Sequence, residues 1–371
     1  MSVSNKDKLT PQVNALMEDY QKLQMQAISE FLKIKENQKI NFLNLWNKIT
    51  EANKQWVNSK GEGLTLEYLY NLTTHEERLY LSRLLQFIFD TMSDQQESEI
   101  PLPKDIKIEQ IEVNGVPAEW QIVPGATEER VILYFHGGGM VIGSPRDSRY
   151  FTVALGRATN MRVLSVDYRL APEYPHPAGQ EDCVKAYKWL LSTGIKAKNI
   201  IIGGLSAGGY FTLSTLLRLK DEGSPLPLGA LCLSPGTDLR LDDLDDSFFE
   251  NAETDPILAD SGLLLFCVPA YLAGKDPHDP LISPVTADLS GFPPLLIQAS
   301  SCEMLYSGCK RLADKAKEDG VDVTLETWDN VPHGFHVFGL NLLPESEDAI
   351  NHIKLFIEML FKEQEELEIQ V

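Results

Sequence analysis

At 371 residues the chain is too long for one minimal domain, and it suits one large α/β domain carrying an insertion or cap. Its 43% hydrophobic, 9% aromatic and 23% charged residues supply enough apolar material for a sizeable core, which excludes wholesale disorder. Lys and Arg number 33 against 54 Asp and Glu, and the net charge of −21 repels nucleic-acid phosphate and anionic lipid, so no nucleic-acid partner is expected.

The first twenty residues have no apolar run behind their charges, so no secretory signal is expected. The most apolar later stretch, Gly262 to Gly274, spans 13 residues and contains Pro269, too short for stable membrane insertion. Five cysteines (Cys183, Cys232, Cys267, Cys302, Cys309) are odd in number and widely spaced, which fits reduced thiols and a cytoplasmic setting.

From about Pro11 to Met92 the period is helical. Val13, Leu16, Met17, Tyr20 and Leu23 share one face, and Phe42, Leu45, Trp46 and Ile49 repeat the theme. A third helix is predicted from the Thr73 to Glu77 stretch to about Phe89, with Thr73 and Glu76 at capping-box spacing. Residues 1–60 hold nine Lys against six Asp and Glu, a net +3 that leaves −24 for the remainder. Residues 1–95 therefore read as a helical cap, and the polar run Asp94 to Glu99 as a linker to a second domain over 100–371.

There the period changes. Ile106, Ile108, Ile111 and Val113 lead through Asn114-Gly115 to Trp120, Ile122 and Val123, which predicts a hairpin. Short apolar runs then alternate with helical stretches: Val131 to Phe135, Met161 to Val166, Asn199 to Ile202, Ala230 to Leu233, Pro294 to Gln298 and Val323 to Trp328. Continuous apolar strands with helices between them predict a mostly parallel sheet buried on both faces. The acidic, partly helical segment 238–279 interrupts this rhythm and reads as a second piece of lid.

The strand at Asn199 to Ile202 runs into Gly204-Leu205-Ser206-Ala207-Gly208 and then an apolar helix. A serine at such a junction is held on a sharp turn with its hydroxyl exposed, although glycine-rich βα turns often contain a serine with no such role. Upstream, Val131 to Phe135 ends in His136-Gly137-Gly138-Gly139. This is either a plain glycine turn or backbone that closely approaches a ligand, and acyl transfer needs N–H donors near a developing oxyanion. Gly138, Gly139 and Ala207 are the candidate donors, with His136 in a structural role.

A serine hydroxyl needs a base, and the base needs a carboxylate to orient it. His333, in the loop after Val323 to Trp328, is the candidate base, with His336 as its rival; a metal reading of this pair lacks a third ligand. Glu303 follows Pro294 to Ala299 and is the candidate acid, against Asp276, Asp279 and Asp329.

These residues resemble the hormone-sensitive lipase-like branch of the α/β-hydrolase family. The resemblance rests on His136-Gly137-Gly138-Gly139, on Asp167 to Glu173 followed by Pro177-Ala178, and on the Ser206 elbow. It continues through Ser234-Pro235 with Asp238, Asp255-Pro256, Ser283-Pro284, Glu303 and His333-Gly334-Phe335, and covers roughly residues 105–360. It implies an α/β-hydrolase fold with a helical N-terminal cap, and an esterase for short- or medium-chain carboxylic esters that needs no cofactor. It also implies Ser206 as nucleophile, His333 as base then acid, and Glu303 as the orienting acid. Two positions depart from the common pattern: Glu303 stands where aspartate is frequent, and Leu205 where aspartate often precedes the nucleophile. Amide or lactone cleavage by the same groups and a catalytically silent small-molecule receptor stay open as alternatives, as does a homodimer. The unusually long N-terminal segment reads either as cover for the cleft or as a contact for a partner or a membrane surface.

Overall fold

The computed structural model describes residues 9–241, 243–259, 262–338 and 343–369. The first eight residues of the expected cap, Asp242, Asp260 and Ser261 of the expected second lid, and positions 339–342 and 370–371 of the expected second domain lie outside them.

The chain opens with four helices: α1 (Pro11–Lys33), α2 (Phe42–Asn58), α3 (Leu66–Asn71) and α4 (His75–Glu99). Thr10 caps α1 by accepting the N–H of Val13 at 3.2 Å, with Pro11 in the first turn where no N–H is needed. Helix α3 has no counterpart in the periodicity reading, being too short to show a repeat. The capping box of α4 lies one residue later than its spacing predicts: Thr74 and Glu77 satisfy each other's backbone N–H groups.

The expected linker at Asp94 to Glu99 is instead the last turns of α4, a correction with an electrostatic cause. Arg146 binds Asp94 and Glu97, each at 2.6 Å, and Arg149 reaches Glu97 at 2.9 Å, so carboxylates that look solvated in sequence are paired with guanidinium groups some 50 residues away. The helical segment thus ends at Glu99 rather than at 95.

Among the described residues eight strands form one sheet: β1 (Lys107–Val113), β2 (Val116–Ile122), β3 (Thr127–Phe135), β4 (Met161–Val166), β5 (Ile200–Leu205), β6 (Gly229–Leu233), β7 (Leu295–Ser300) and β8 (Val323–Trp328). Their order is β1-β2-β4-β3-β5-β6-β7-β8. The β1–β2 hairpin turns at Asn114 (φ 53°) and Gly115 (φ 81°), the left-handed pair that a tight hairpin needs. β2 meets β4 antiparallel, and from β4 to β8 every pairing is parallel.

Alternate residues of the central strands feed different layers. Val131, Leu133 and Phe135 face a core shared with α6 (Ala178–Ser192) and α7 (Ala207–Asp221), whereas Ile132 and Tyr134 pack against α5 (Arg149–Thr159) and α11 (Pro344–Ile369). The first core does not stop at the sheet. It continues through Leu239, Phe248 and Phe266 into Ile49, Trp56, Tyr80 and Leu84 of the N-terminal helices. Asn53 donates to the carbonyl of Ala259 at 2.6 Å, and Trp56 meets the rings of Phe248 and Phe249 edge-on. The N-terminal helices and the 238–279 segment, which carries α8 (Asp246–Glu250) and α9 (Leu263–Leu272), therefore pack on each other as well as on the sheet.

Glu119 of β2 is 1% exposed, and Arg149 grips both of its carboxylate oxygens, at 2.9 and 2.7 Å. Arg149→Met strands that buried charge and is expected to lower the unfolding free energy by about 3 kcal/mol. Breaking the exposed Arg130–Glu365 pair with Arg130→Met should cost less than about 1 kcal/mol, and guanidinium unfolding midpoints compare the two.

Candidate active site

Strand β5 ends at Leu205 and α7 begins at Ala207, which leaves Ser206 alone to turn the chain, at φ 56° and ψ −112°. A non-glycine residue in such a conformation costs on the order of 1–3 kcal/mol and persists only where its surroundings enforce it. Here β5 is buried between β3 and β6, the Ser206 N–H donates to Leu233 O at 2.8 Å, and its carbonyl accepts from Tyr210 and Gly236. The doubling back requires glycine at 208, where a Cβ would sit 1.9 Å from Phe135 O.

His333 lies in the loop after β8, its Nε2 3.0 Å from Ser206 Oγ. Its Nδ1 lies 3.0 Å from Glu303 Oε2. A buried carboxylate accepts, so Nδ1 carries the proton toward Glu303 and Nε2 is left to accept the Ser206 O–H. Glu303 is fully buried and His333 nearly so. Burial pushes the Glu303 carboxyl up, against the pull of the imidazole. Burial alone would lower His333, but the charge and hydrogen bond of Glu303 outweigh it and hold the ring above its ordinary value.

The rival residues fall elsewhere. His336 is buried against Phe151 and Phe335, with no hydrogen-bond partner on either ring nitrogen among the described residues, and burial drives it down to about 3. Asp276 turns to exposed His278, Asp279 caps the backbone N–H of Leu281, and exposed Asp329 accepts from Ser301.

The His136 to Gly139 loop passes beside the serine: a Cβ on Gly137 would lie 3.7 Å from Ser206 Cβ. His136 takes the structural role expected of it. It stacks on Tyr168 with centroids 4.1 Å apart, its Nδ1 meets Gly137 O at 2.7 Å, and burial lowers it to about 4, so the ring is neutral. Gly138 (φ 111°) and Gly139 (φ 60°) take left-handed conformations, and a Cβ on Gly138 would come within 2.1 Å of Ile142 O. The backbone N–H groups of Gly138 and Gly139 have no partner among the described residues, and Ala207 opens the first turn of α7, where no partner exists within the helix.

Several supporting residues carried no assigned role in the sequence. Asn251 donates to the carbonyls of Ser301 (3.0 Å) and Glu303 (2.8 Å), Thr254 to that of Cys302 (2.8 Å), and Asp255 accepts the Met304 N–H (2.9 Å). The 238–279 segment thereby clamps the loop that bears Glu303. Ser300 ties that loop to the histidine loop by donating to Val331 O at 2.6 Å. Asp255-Pro256 was visible as a motif; Asn251 and Thr254 gave no signal, because their partners are backbone atoms some 50 residues on.

Ser206, Ala207, His333 and the glycines line one cavity of about 740 Å³. Its walls are mainly apolar, from Leu16, Tyr20 and Leu23 of α1, Phe89 and Met92 of α4, and Leu239, Phe248 and Leu263 of the 238–279 segment. Among the described residues no group of three or more His, Cys, Asp or Glu is placed to hold a metal ion, and no helix is long and apolar enough to cross a membrane.

A family model described as the alpha/beta hydrolase fold matches residues 132–337. An acetyl-hydrolase of Streptomyces hygroscopicus is 38% identical over 247 residues, 67% of this chain and 81% of that one. An esterase of Acinetobacter venetianus is 34% identical over 69% of this chain and 83% of its own. Among solved structures, an esterase from the bacterial hormone-sensitive lipase family superposes with a TM-score of 0.69 at 38% identity, covering 84% of this chain and 98% of that one. The esterase EstE5, soaked with p-nitrophenyl butyrate, gives a TM-score of 0.69 at 38% identity over 77% of this chain and 98% of its own. With the sheet order, the elbow and these relatives in agreement, the chain belongs to the α/β-hydrolase family, in its hormone-sensitive lipase-like esterase branch, and is a hydrolase of the carboxylesterase and lipase kind.

Proposed function

We propose that the protein hydrolyses short- to medium-chain carboxylic esters through an acyl-enzyme on Ser206. The observation that carries this reading is the line from Ser206 Oγ to His333 Nε2 and from Nδ1 to Glu303 Oε2, 3.0 Å at each step, at the wall of an apolar cavity. His333 Nε2 takes the hydroxyl proton as Ser206 Oγ attacks the ester carbonyl. The resulting oxyanion is received by the N–H groups of Gly138, Gly139 and Ala207, each such donor being worth roughly 3 kcal/mol. On collapse His333 gives that proton to the leaving oxygen, so the alcohol departs neutral and Nε2 is free again. Water then enters, gives a proton to the same nitrogen and attacks the acyl carbon, and the proton returns to Ser206 as the acid leaves.

Relatives named for acetyl hydrolysis and a neighbour soaked with a butyrate ester support the acyl range. The cavity supports an apolar substrate of drug-like size, as pockets of 300–1,000 Å³ commonly do. In this reading residues up to Glu99 and the 238–279 segment act as a two-part cap that shapes the cleft, because both contribute its walls.

Ser206→Ala is expected to lower p-nitrophenyl butyrate turnover by on the order of 10⁶ and to abolish fluorophosphonate labelling; a variant with wild-type rates would disprove the assignment. The working base is neutral His333, which Glu303 holds above its ordinary 6.5, so kcat/KM should fall as pH drops through a midpoint above that value. Glu303→Gln removes the charge that, with its hydrogen bond, outweighs burial and leaves only the more distant Asp255 to oppose it: the midpoint should move down from its wild-type position, with kcat down by about 10⁴. Across p-nitrophenyl esters from acetate to palmitate, kcat/KM should peak at or below octanoate.

A further inference from the structure

The family match begins at residue 132, yet a residue of the N-terminal helical segment holds the glycine loop. Gln86 of α4 is half-buried, and its amide oxygen accepts the N–H of Gly143 at 2.8 Å. Its amide nitrogen turns outward to Asp90 at 3.0 Å. Gly143 ends a tight turn in which the N–H groups of Val141 and Ile142 both donate to Gly138 O, at 3.1 Å each. The turn has no slack: the space beside the Gly138 Cα is filled by Ile142 O, and that beside Gly139 by the Cys267 thiol of α9. A shift at Gly143 therefore passes to Gly138 and Gly139 rather than being absorbed between them. Just beyond, Ser93 of α4 donates to Asp147 at 2.8 Å, so the helix runs along the loop and grips it at more than one point.

We propose that Gln86 is a positioning residue for the oxyanion hole, its amide oxygen fixing the loop that carries the N–H groups of Gly138 and Gly139. This rests on the hydrolase reading above. Donors to an oxyanion must lie within about 2.7–3.1 Å of it, and misplacement by about 1 Å costs on the order of 10² in rate. Without Gln86 the Gly143 N–H faces an apolar side chain and the loop loses its fixed point on the cap side.

The test uses the full chain, p-nitrophenyl butyrate as substrate and butylboronic acid as inhibitor, whose tetrahedral serine adduct places an oxygen in the hole. Gln86→Leu is expected to lower kcat by about 10- to 100-fold with KM little changed, and to weaken butylboronic acid by a similar factor. Gln86→Glu, made together with Asp90→Ala so that no second carboxylate faces the new one, keeps an acceptor oxygen in place and should restore most of the rate. Asp90→Ala, which removes only the outward contact, should leave kinetics unchanged. If Gln86→Leu does not fold, Gln86→Ala removes the acceptor without adding apolar bulk and is read by the same criteria. The proposal is overturned if the acceptor-less variant keeps at least half the wild-type kcat, if Gln86→Glu with Asp90→Ala loses as much as Gln86→Leu, or if KM alone changes. Failure of the hydrolase reading looks different: the wild type would then hydrolyse no ester and would match Ser206→Ala.

Discussion

The imidazole of His333, held between a buried carboxylate and a hydroxyl, is the constraint around which the rest of the site is arranged. Two contacts of 3.0 Å fix its tautomer and its orientation. Removing Glu303 from water is costly unless its charge is met, and the imidazole meets it. That pairing is also what lifts the ring above its ordinary value despite burial. Geometry and proton affinity thus come from one interaction.

Such a contact is only as good as the loops that carry it. Ser206 is held by the close passage of β5 and α7 across Phe135, Glu303 by Asn251, Thr254 and Asp255, and the loops of Glu303 and His333 by Ser300. The glycine loop is braced by the neutral His136–Tyr168 stack on one side and by α4 and α9 on the other. The N-terminal helices and the 238–279 segment therefore do more than line a cavity. They share the hydrophobic core with the sheet, so the position of the loops and the packing of these segments are settled together.

Much of this was legible in sequence, for identifiable reasons. Strands buried on both faces leave apolar runs, and β3 to β7 lie where those runs fall, whereas β8, at the sheet edge, follows its predicted place without being buried; the hairpin was marked by Asn114-Gly115, whose residues tolerate left-handed backbone. The elbow was marked by glycines that steric contact makes compulsory. One misreading came where the partner is remote, another where two neighbours are chemically alike. Asp94 to Glu99 has the composition of a loop, and it is helical because Arg146 and Arg149 arrive to neutralise it. Adjacent threonines at 73 and 74 offer the same capping chemistry, and local spacing does not choose between them.

By itself, then, the sequence determined the succession of strands, the hairpin turn, the elbow around Ser206 and the glycine loop after His136, because each depends on periodicity or backbone sterics within a few residues. It also singled out His333 and Glu303, over their rivals, as the candidates for base and acid. Only the tertiary structure decided that Ser206, Glu303 and His333 meet within hydrogen-bond distance, that His336 is sealed away, and that Gln86 reaches Gly143. Those contacts join residues 30 to 127 positions apart, and directional bonds over a few ångströms are set by packing, which no local pattern encodes.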